Sequence, residues 1–149
     1  MNYTEEISNK LNDLLVKNYD AEKGYKNAIH HIEDDRLKLL FNRRIEERHE
    51  FANELKTEIV KFNETPENTG SFKGAMHRDW TSLKATFNGN KEQAVLDEVI
   101  KGEKASLEEY SQVLEETHLP ATTDSLLMKH KKAIEASINT EKSYTKIVS

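Results

Sequence analysis

The sequence predicts an all-α protein, an antiparallel four-helix bundle with one long crossover between its second and third helices. In four separate segments, apolar residues recur at alternating steps of three and four, which is the period of one helix face. The chain has only five glycines and two prolines, too few for the many turns of a β protein. Most of these seven residues fall within residues 64–90, which marks the crossover.

The composition suits a bundle of amphipathic helices. Hydrophobic residues make up 36% of the chain and charged residues 33%, and each helix of a bundle needs only one apolar stripe. A length of 149 residues predicts a single four-helix-bundle domain over residues 1–149. The chain has no cysteine, which excludes disulfide scaffolds, cysteine-bound zinc and thiol catalysis.

The charge and the hydropathy pattern limit the partners. A net charge of -5 argues against nucleic acid as a partner, because a basic face would be expected. No run of residues is long and apolar enough to cross a bilayer, so no membrane partner is expected. The first residues lack the basic start and apolar stretch of a secretory signal. A cytoplasmic protein is therefore expected.

The first two helices are predicted at about residues 5–32 and 35–63. Polar residues at Asp34 or Asp35 provide an N-cap for the second helix, and the short link makes the two helices antiparallel neighbours. The inner stripe of the first helix is Leu11, Leu15, Asn18, Glu22, Tyr25, Ile29 and Ile32. The inner stripe of the second helix is Leu37, Phe41, Ile45, Arg48, Ala52, Leu55, Ile59 and Phe62.

The crossover at residues 64–90 is predicted to contain a short helix from Ala75 to Phe87, because its apolar residues have helical spacing. Trp80 is interpreted as an anchor that holds this segment against the bundle. His77 and Arg78 extend the same anchor, where they could bond exposed carbonyl groups or line a small anionic site. The anchor is the favoured interpretation.

The third and fourth helices are predicted at about residues 91–117 and 122–147. Pro120 stops the third helix, since the residue before a proline is disfavoured in helical conformation. Two helices, a long connection and two more helices make the second and third helices parallel. This connectivity is the ferritin-like variant of the four-helix bundle.

Three ionisable residues, Glu22, Arg48 and Glu103, interrupt the apolar stripes near the middle of their helices. Burying any of them alone would be costly, so they are predicted to pair in a core polar cluster. Four further polar residues could extend this network: Asn18, Tyr25, Tyr110 and Glu141. The cluster is interpreted either as a structural ion network, which is favoured, or as part of a metal site.

Ferritin-like di-iron sites use one Glu on each of two helices and a Glu-x-x-His pair on each of the other two. The candidate ligands for iron or another divalent metal are Glu22, Glu46, His49, Glu103 and His130. The second helix does contain Glu46-x-x-His49, but Arg48 faces inward and Glu46 lies nearly opposite the stripe. The fourth helix has Leu127 where the carboxylate of Glu-x-x-His would stand. No cofactor is therefore assigned.

Several segments resemble the bacterial PA2169-type four-helix-bundle family, the ferritin-like DUF2383 domain of unknown function. The matching segments are Leu11-Asn12-Asp13-Leu14-Leu15, Asp20-Ala21-Glu22-Lys23-Gly24-Tyr25, Phe51-Ala52-Asn53-Glu54-Leu55, Ala75-Met76-His77-Arg78-Asp79-Trp80-Thr81-Ser82-Leu83-Lys84 and Gly102-Glu103-Lys104-Ala105. The resemblance extends from about Leu11 to Pro120. It implies a ferritin-like fold and a bacterial, cytoplasmic setting, and it implies no activity.

No catalytic set is identified, which favours a non-enzymatic protein that acts by self-association or partner binding, with stress adaptation as a candidate role. A homo-oligomer is compatible with this hypothesis. The first alternative is a metal-binding protein of the di-iron type using Glu22 and Glu103. The second alternative is a carrier of a small acidic ligand, in which Arg48 would hold the acid group.

Overall fold

The computed structural model describes residues 2–68, 91–116 and 118–148. Its helices are α1 (Tyr3–Ile29), α2 (Asp35–Lys61), α3 (Lys91–Glu116) and α4 (Ala121–Val148), and this part of the chain contains no strand. The all-α four-helix class is confirmed, and the predicted helix ends agree with the observed ones to within three residues.

Local side-chain contacts define the helix ends. The side chain of Asn2 accepts a hydrogen bond from the amide of Glu5 at the start of α1, at 2.9 Å. Asp34 accepts one from the amide of Leu37 at the start of α2, also at 2.9 Å. Both caps satisfy amides that have no partner within the helix. After α2, Asn63 has a φ of 59°, and asparagine tolerates this left-handed conformation better than most residues.

The helix pairing follows the ferritin-like connectivity. The α1–α2 and α3–α4 pairs make the largest contacts, α1 also lies against α3, and α2 lies against α4. The remaining pairs, α1–α4 and α2–α3, are the diagonals of the bundle. Tyr3 contacts His118 and Tyr25 contacts Glu141, so α1 and α4 run in the same direction. The same direction holds for α2 and α3, as the long crossover requires.

The core consists of two apolar clusters, one toward each end of the bundle. One cluster includes Leu15, Leu55 and Leu127, and the other includes Phe41 and Leu96. Between the clusters lies a layer of buried polar side chains. The apolar clusters bury the inner stripes of the helices, which supplies most of the stability of a bundle.

The crossover begins against α1. The side chain of Asn12 donates a hydrogen bond to the carbonyl of Thr65 at 3.3 Å and accepts one from the amide of Glu67 at 2.8 Å. The hydroxyl of Tyr19 donates to the carbonyl of Glu67 at 3.0 Å. The predicted short helix at 75–87, with the proposed anchor residues His77, Arg78 and Trp80, lies outside the described residues. None of the helices that are described could cross a membrane.

Candidate functional site: a buried polar layer at the middle of the bundle

Each helix contributes one polar side chain to the same level of the core. These are Tyr25 from α1, Arg48 from α2, Glu103 from α3 and Glu141 from α4, and each has a relative exposure of 0%. All four project from the inner stripes of their helices, so they meet where the two diagonals of the bundle cross. We call these four residues, together with Asn18, the polar layer.

Arg48 lies at the centre of the polar layer. Its Nη2 atom donates to Oε1 of Glu103, and its Nη1 atom donates to Oδ1 of Asn18 at 2.7 Å. Burial lowers the pKa of Arg48, but the charge of Glu103 together with smaller contributions from Tyr110 and Tyr25 more than offsets this effect and leaves the pKa raised. The guanidinium therefore stays charged, and Glu103 provides the opposite charge that a buried cation requires.

Tyr25 connects the two buried carboxyl groups. Its hydroxyl oxygen lies 2.7 Å from Oε2 of Glu103 and is also hydrogen-bonded to Oε2 of Glu141. A phenol has one hydrogen, so it can donate to only one of the two groups. Glu103 is the ionised partner of Arg48, so Glu141 is the group that carries a proton and donates it to the phenol oxygen.

The electrostatics of the layer agree with this assignment. Burial, followed by the charge of Glu103, raises the pKa of Glu141 well above its ordinary value. Burial and the two carboxyl groups likewise raise the pKa of Tyr25. With the proton on Glu141, the charges of Arg48 and Glu103 balance each other within the layer.

A second set of hydrogen bonds runs from the polar layer to the surface. The Nδ2 atom of Asn18 donates to the hydroxyl oxygen of Tyr110 at 2.9 Å. That hydroxyl lies 2.8 Å from Nδ1 of His130, and Nε2 of His130 lies 2.8 Å from Oε1 of Glu54. At the surface, Glu54 forms an ion pair with Lys129. These contacts assign the hydrogen of neutral His130 to Nε2.

Glu54, His130 and Tyr110 follow the order carboxylate, imidazole and hydroxyl, which is also the order of a general-base system. The burial of His130 and Tyr110 excludes that chemistry. Tyr110 and His130 both have a relative exposure of 0%, so no substrate reaches either group. Burial raises the pKa of Tyr110 and lowers that of His130 to about 4. Both groups are therefore neutral at pH 7, and the ring of His130 stacks on Phe51 with a centroid distance of 3.9 Å. This network holds the helices together.

The structure brings Arg48 and Glu103 together and leaves Glu22 outside the layer. Glu22 lies near the surface, where it contacts Lys26 at 3.3 Å and Nδ1 of His49 at 3.0 Å. The buried stripe of α1 passes through Ala21 and Tyr25, and successive side chains differ by about 100° around the helix. Glu22 therefore points to the side, and Glu141 of α4 is the second carboxyl group of the layer.

The five candidate metal ligands do not form one site. Glu46 and His49 are exposed on α2, Glu103 is bonded to Arg48, and His130 is bonded to Tyr110 and Glu54. Among the residues that the structure describes, no three histidine or acidic side chains are grouped as a metal site would need. A guanidinium occupies the centre of the bundle and cannot bind a metal ion, so the residues present do not fit a di-iron site.

The apolar stripes did not predict that Glu54, Glu58 and Thr123 lie in the α2–α4 contact. Thr123 donates a hydrogen bond to Oε2 of Glu58 at 2.8 Å, one helical turn beyond the Glu54–His130 contact. The available signal was the spacing of Glu54 and Glu58 by four residues, which places both on the same flank of α2. In a chain so rich in glutamate, this spacing alone does not distinguish a helix contact from a solvated surface.

Residues 6–116 match DUF2383, a domain of unknown function. The chain belongs to this family. The match covers most of α1 and all of α2 and α3, and it leaves out α4, from which Glu141 and His130 come. Comparison of this DUF2383 chain with curated proteins gives no significant match.

Solved structures with the same fold are ferritin-like proteins. A point mutant of Mycobacterium smegmatis Dps1 has a TM-score of 0.82 and 15% identity, with 96% of this chain and 97% of that chain covered. A dodecameric thioferritin, the bacterioferritin-related protein of Bacteroides fragilis, has a TM-score of 0.78 and 14% identity, with coverage of 97% and 87%. The Vibrio cholerae O1 Dps protein, described as a member of the ferritin-like diiron-carboxylate superfamily, has a TM-score of 0.73 and 15% identity, with coverage of 95% and 90%. These similarities establish the ferritin-like fold of this chain.

Proposed function

We propose that this DUF2383 chain works without a metal centre, as a helical protein that associates with copies of itself. The position of Arg48 carries the proposal. Its two terminal nitrogens are bonded to Asn18 and Glu103 at the centre of the bundle, where a di-iron protein would present carboxylates and histidines. The interior then serves stability, and the function is carried by the outer surface.

The charges on α3 and α4 support self-association. The sequence of α3 has eight acidic residues and three lysines, whereas that of α4 has five lysines and three acidic residues, of which Glu141 is buried. The exposed members include Asp97, Glu108 and Glu115 on α3 and Lys132, Lys142 and Lys146 on α4. Within the described residues, no salt bridge joins these two sets.

The arrangement of the two helices favours a second copy of the chain as the partner. Because α3 and α4 are antiparallel neighbours, an acidic and a basic helix lie side by side on the bundle. A two-fold related copy would place its α3 over α4 of the first copy, and the reverse, which is the self-complementary contact of a symmetric dimer. One protein of the same fold is described as dodecameric, which is compatible with assembly.

Two other functions are less well supported. A carrier of a small acidic ligand would need Arg48 to exchange Glu103 for the ligand, in a core where Arg48 has a relative exposure of 0%. Iron binding is suggested by the diiron-carboxylate description of one protein of the same fold. It would require the Arg48–Glu103 ion pair to open, because that pair occupies the centre of the bundle.

The oligomeric state tests the proposal. We expect light scattering after size exclusion, at low salt, to give a mass above that of the 17.2 kDa monomer. We expect either the α4 double variant K132E/K142E or the α3 double variant E108K/E115K to reduce this mass, and a mixture of the two variants to restore it. K23E/K26E on α1 is the matched control. A monomeric wild-type protein at all concentrations would overturn self-association.

Metal loading tests the other half of the proposal. Wild-type protein incubated with Fe(II) under anaerobic conditions and then desalted is expected to retain no more iron than the E103Q/E141Q variant. Retention of stoichiometric iron by the wild type, lost in that variant, would overturn the metal-free function and establish a metalloprotein.

A further inference from the structure

The outer face of α1 is buried over part of its length. Asn18 points into the polar layer, and Val16 and Asp20 each lie two residues from it, which turns both to the opposite side of the helix at about 100° per residue. The relative exposures of Val16 and Asp20 are nevertheless only 8% and 4%. Gly24, one turn beyond Asp20, is buried as well. We call Val16, Asp20 and Gly24 the outer patch of α1.

The other helices pack on the inner side of α1, away from the outer patch. Asn18 and Tyr25 contact side chains of α2, α3 and α4 from that inner side. On the outer side, Asp13 and Asn27 flank the patch and are exposed. The burial is thus confined to one stretch of the outer face, which is the pattern expected where a further segment lies across the helix.

The crossover starts at the edge of the outer patch. Because α1 and α4 each lie beside both α2 and α3, a connection from the end of α2 to the start of α3 has to pass over one of these two helices. The side chains of Asn12 and Tyr19 bond the backbone of Glu67, which places the beginning of the connection on α1. Asp20 directly follows Tyr19 in the chain, so the path from Glu67 leads onto the patch.

The end of the crossover lies near the end of α1. The helix α3 starts at Lys91, and Oε2 of Glu92 accepts a hydrogen bond from the amide of Glu33 at 2.6 Å, just beyond α1. From Tyr19 to Ile29, α1 rises about 15 Å. The helix that apolar spacing predicts at 75–87 would be about 20 Å long, which is sufficient for this path.

The composition of residues 69–90 complements the outer patch. Asp20 is a buried carboxylate, and such a group needs a cation or hydrogen-bond donors as partners. Gly24 has no side chain, so a large ring can lie directly against the helix backbone. Trp80 supplies such a ring. Residues 69–90 contain a single acidic residue, Asp79, and three cations: Lys73, Arg78 and Lys84.

We propose that residues 69–90 dock on the outer patch of α1, with Trp80 as the anchor and with a cation of the segment paired with Asp20. Docking within one chain does not depend on self-association, so this inference goes beyond the function proposed above. It also assigns the outer face of α1 to the chain itself and leaves α3 and α4 as the surface for a second copy.

Trp80 is the only tryptophan of the chain, so its fluorescence reports the docking directly. We expect V16K to raise the constant for quenching by acrylamide at least about threefold, because the segment detaches rather than bury the lysine ammonium. N27K makes the same change of side chain at an exposed outer position of α1 and should match the wild type. Circular dichroism checks that both variants keep the helical bundle.

A second variant covers the case in which V16K does not fold. G24Q fills the outer patch without adding a charge, and we expect it to raise the quenching constant in the same way. D20N is expected to raise quenching in the wild-type background and to have no further effect in K73Q/R78Q/K84Q, because that variant already lacks the cations of the segment.

Two outcomes would overturn the docking. Equal quenching of Trp80 in wild type, V16K and G24Q would show that Trp80 does not lie on the outer patch. Quenching in the wild type that increases on dilution would show that a second copy, rather than the same chain, covers Trp80. Quenching that rises in V16K and G24Q and is independent of protein concentration is the result expected for docking within one chain.

Discussion

Arg48 and Glu103 form an ion pair across a diagonal of the bundle, between helices α2 and α3, which make no direct backbone contact. The hydrogen bond between Tyr25 and Glu141 crosses the other diagonal, between α1 and α4. Because Tyr25 also bonds Glu103, the two diagonal contacts are joined at their crossing point. One connected group of side chains therefore links all four helices.

Replacing Arg48 tests the contribution of this group to stability. We expect R48M to lower the free energy of unfolding by about 3–5 kcal/mol, because it leaves the buried Glu103 carboxylate without its partner. Urea unfolding at pH 7 measures the loss. R43M, at an exposed position of the same helix, is the control and should change stability by less than about 0.5 kcal/mol.

The double variant R48M/E103Q tests the cause of that loss. It removes both buried charges, so we expect it to recover much of the stability that R48M loses. Equal stability of R48M and R43M would show that the ion pair contributes nothing measurable.

The protonated state of Glu141 predicts a dependence of stability on pH. Its pKa is raised in the folded state, so the folded protein retains a proton that the unfolded chain releases above its ordinary pKa of about 4.5. Stability is therefore lost as the pH rises from the pKa of Glu141 in the unfolded chain to its higher pKa in the folded protein. The loss is about 1.4 kcal/mol per unit of difference between the two pKa values. Glutamine resembles the protonated acid, so E141Q should lack this loss.

Unfolding of wild type and E141Q between pH 5 and pH 9 measures the effect. E135Q, which changes an exposed residue of the same helix, should follow the wild type. Parallel stability curves for wild type and E141Q would mean that Glu141 is ionised in the folded protein.

For His130 we expect stability to be lost as the pH falls, which is opposite to the effect of Glu141. Its pKa is lowered to about 4, so the folded protein keeps the ring neutral while the unfolded chain takes up a proton below pH 6.5. The stabilisation is present above that value and is lost as the pH falls. Between pH 7 and pH 5 we expect this residue to account for roughly 2 kcal/mol.

Glu141 changes stability in the opposite sense over the same pH interval. The contribution of His130 is therefore measured as the difference between the stability curves of wild type and H130Q. The exposed His49 provides the control variant H49Q. A constant difference between wild type and H130Q would show that His130 does not change its protonation on unfolding.

The hydrogen bonds of Asn12 are expected to stabilise the start of the crossover locally. N12A removes the side chain that bonds both Thr65 and Glu67, so we expect the amide of Glu67 to exchange hydrogen roughly fivefold to tenfold faster. Mass spectrometry of peptides that contain Glu67 measures the rate. N53A, an exposed change on α2, is the control, and equal rates in N12A and N53A would contradict the role of Asn12.

The helices were predictable because each has a long apolar stripe with helical spacing. The same stripes identified Arg48 and Glu103, since an ionisable residue in line with buried leucines at mid-helix needs a partner. Glu22 was assigned to the core because the stripe of α1 was extended by steps of three and four from Asn18. At this point of α1, positions 21 and 22 were both plausible members of the stripe. The observed stripe passes through Ala21, and this choice of phase depends on packing against the other helices.

The proton on Glu141 and the contact between His130 and Glu54 were not predictable from one sequence. Each depends on the relative height of two helices that are far apart in the chain, which periodicity within one helix does not determine. The exposed position of Glu46 and His49 on α2 was different. It required only the orientation of α2, which the stripe through Arg48 provides.

The crossing of the two diagonals also constrains sliding. The α1–α2 hairpin and the α3–α4 hairpin could move along the bundle axis past each other, because leucine-rich surfaces accept several alternative packings. A shift by one helical turn, about 5.4 Å, would separate Arg48 from Glu103 and Tyr25 from Glu141 at the same time. The polar layer therefore permits only one axial alignment of the two hairpins. The same constraint would apply to a hairpin supplied by another chain.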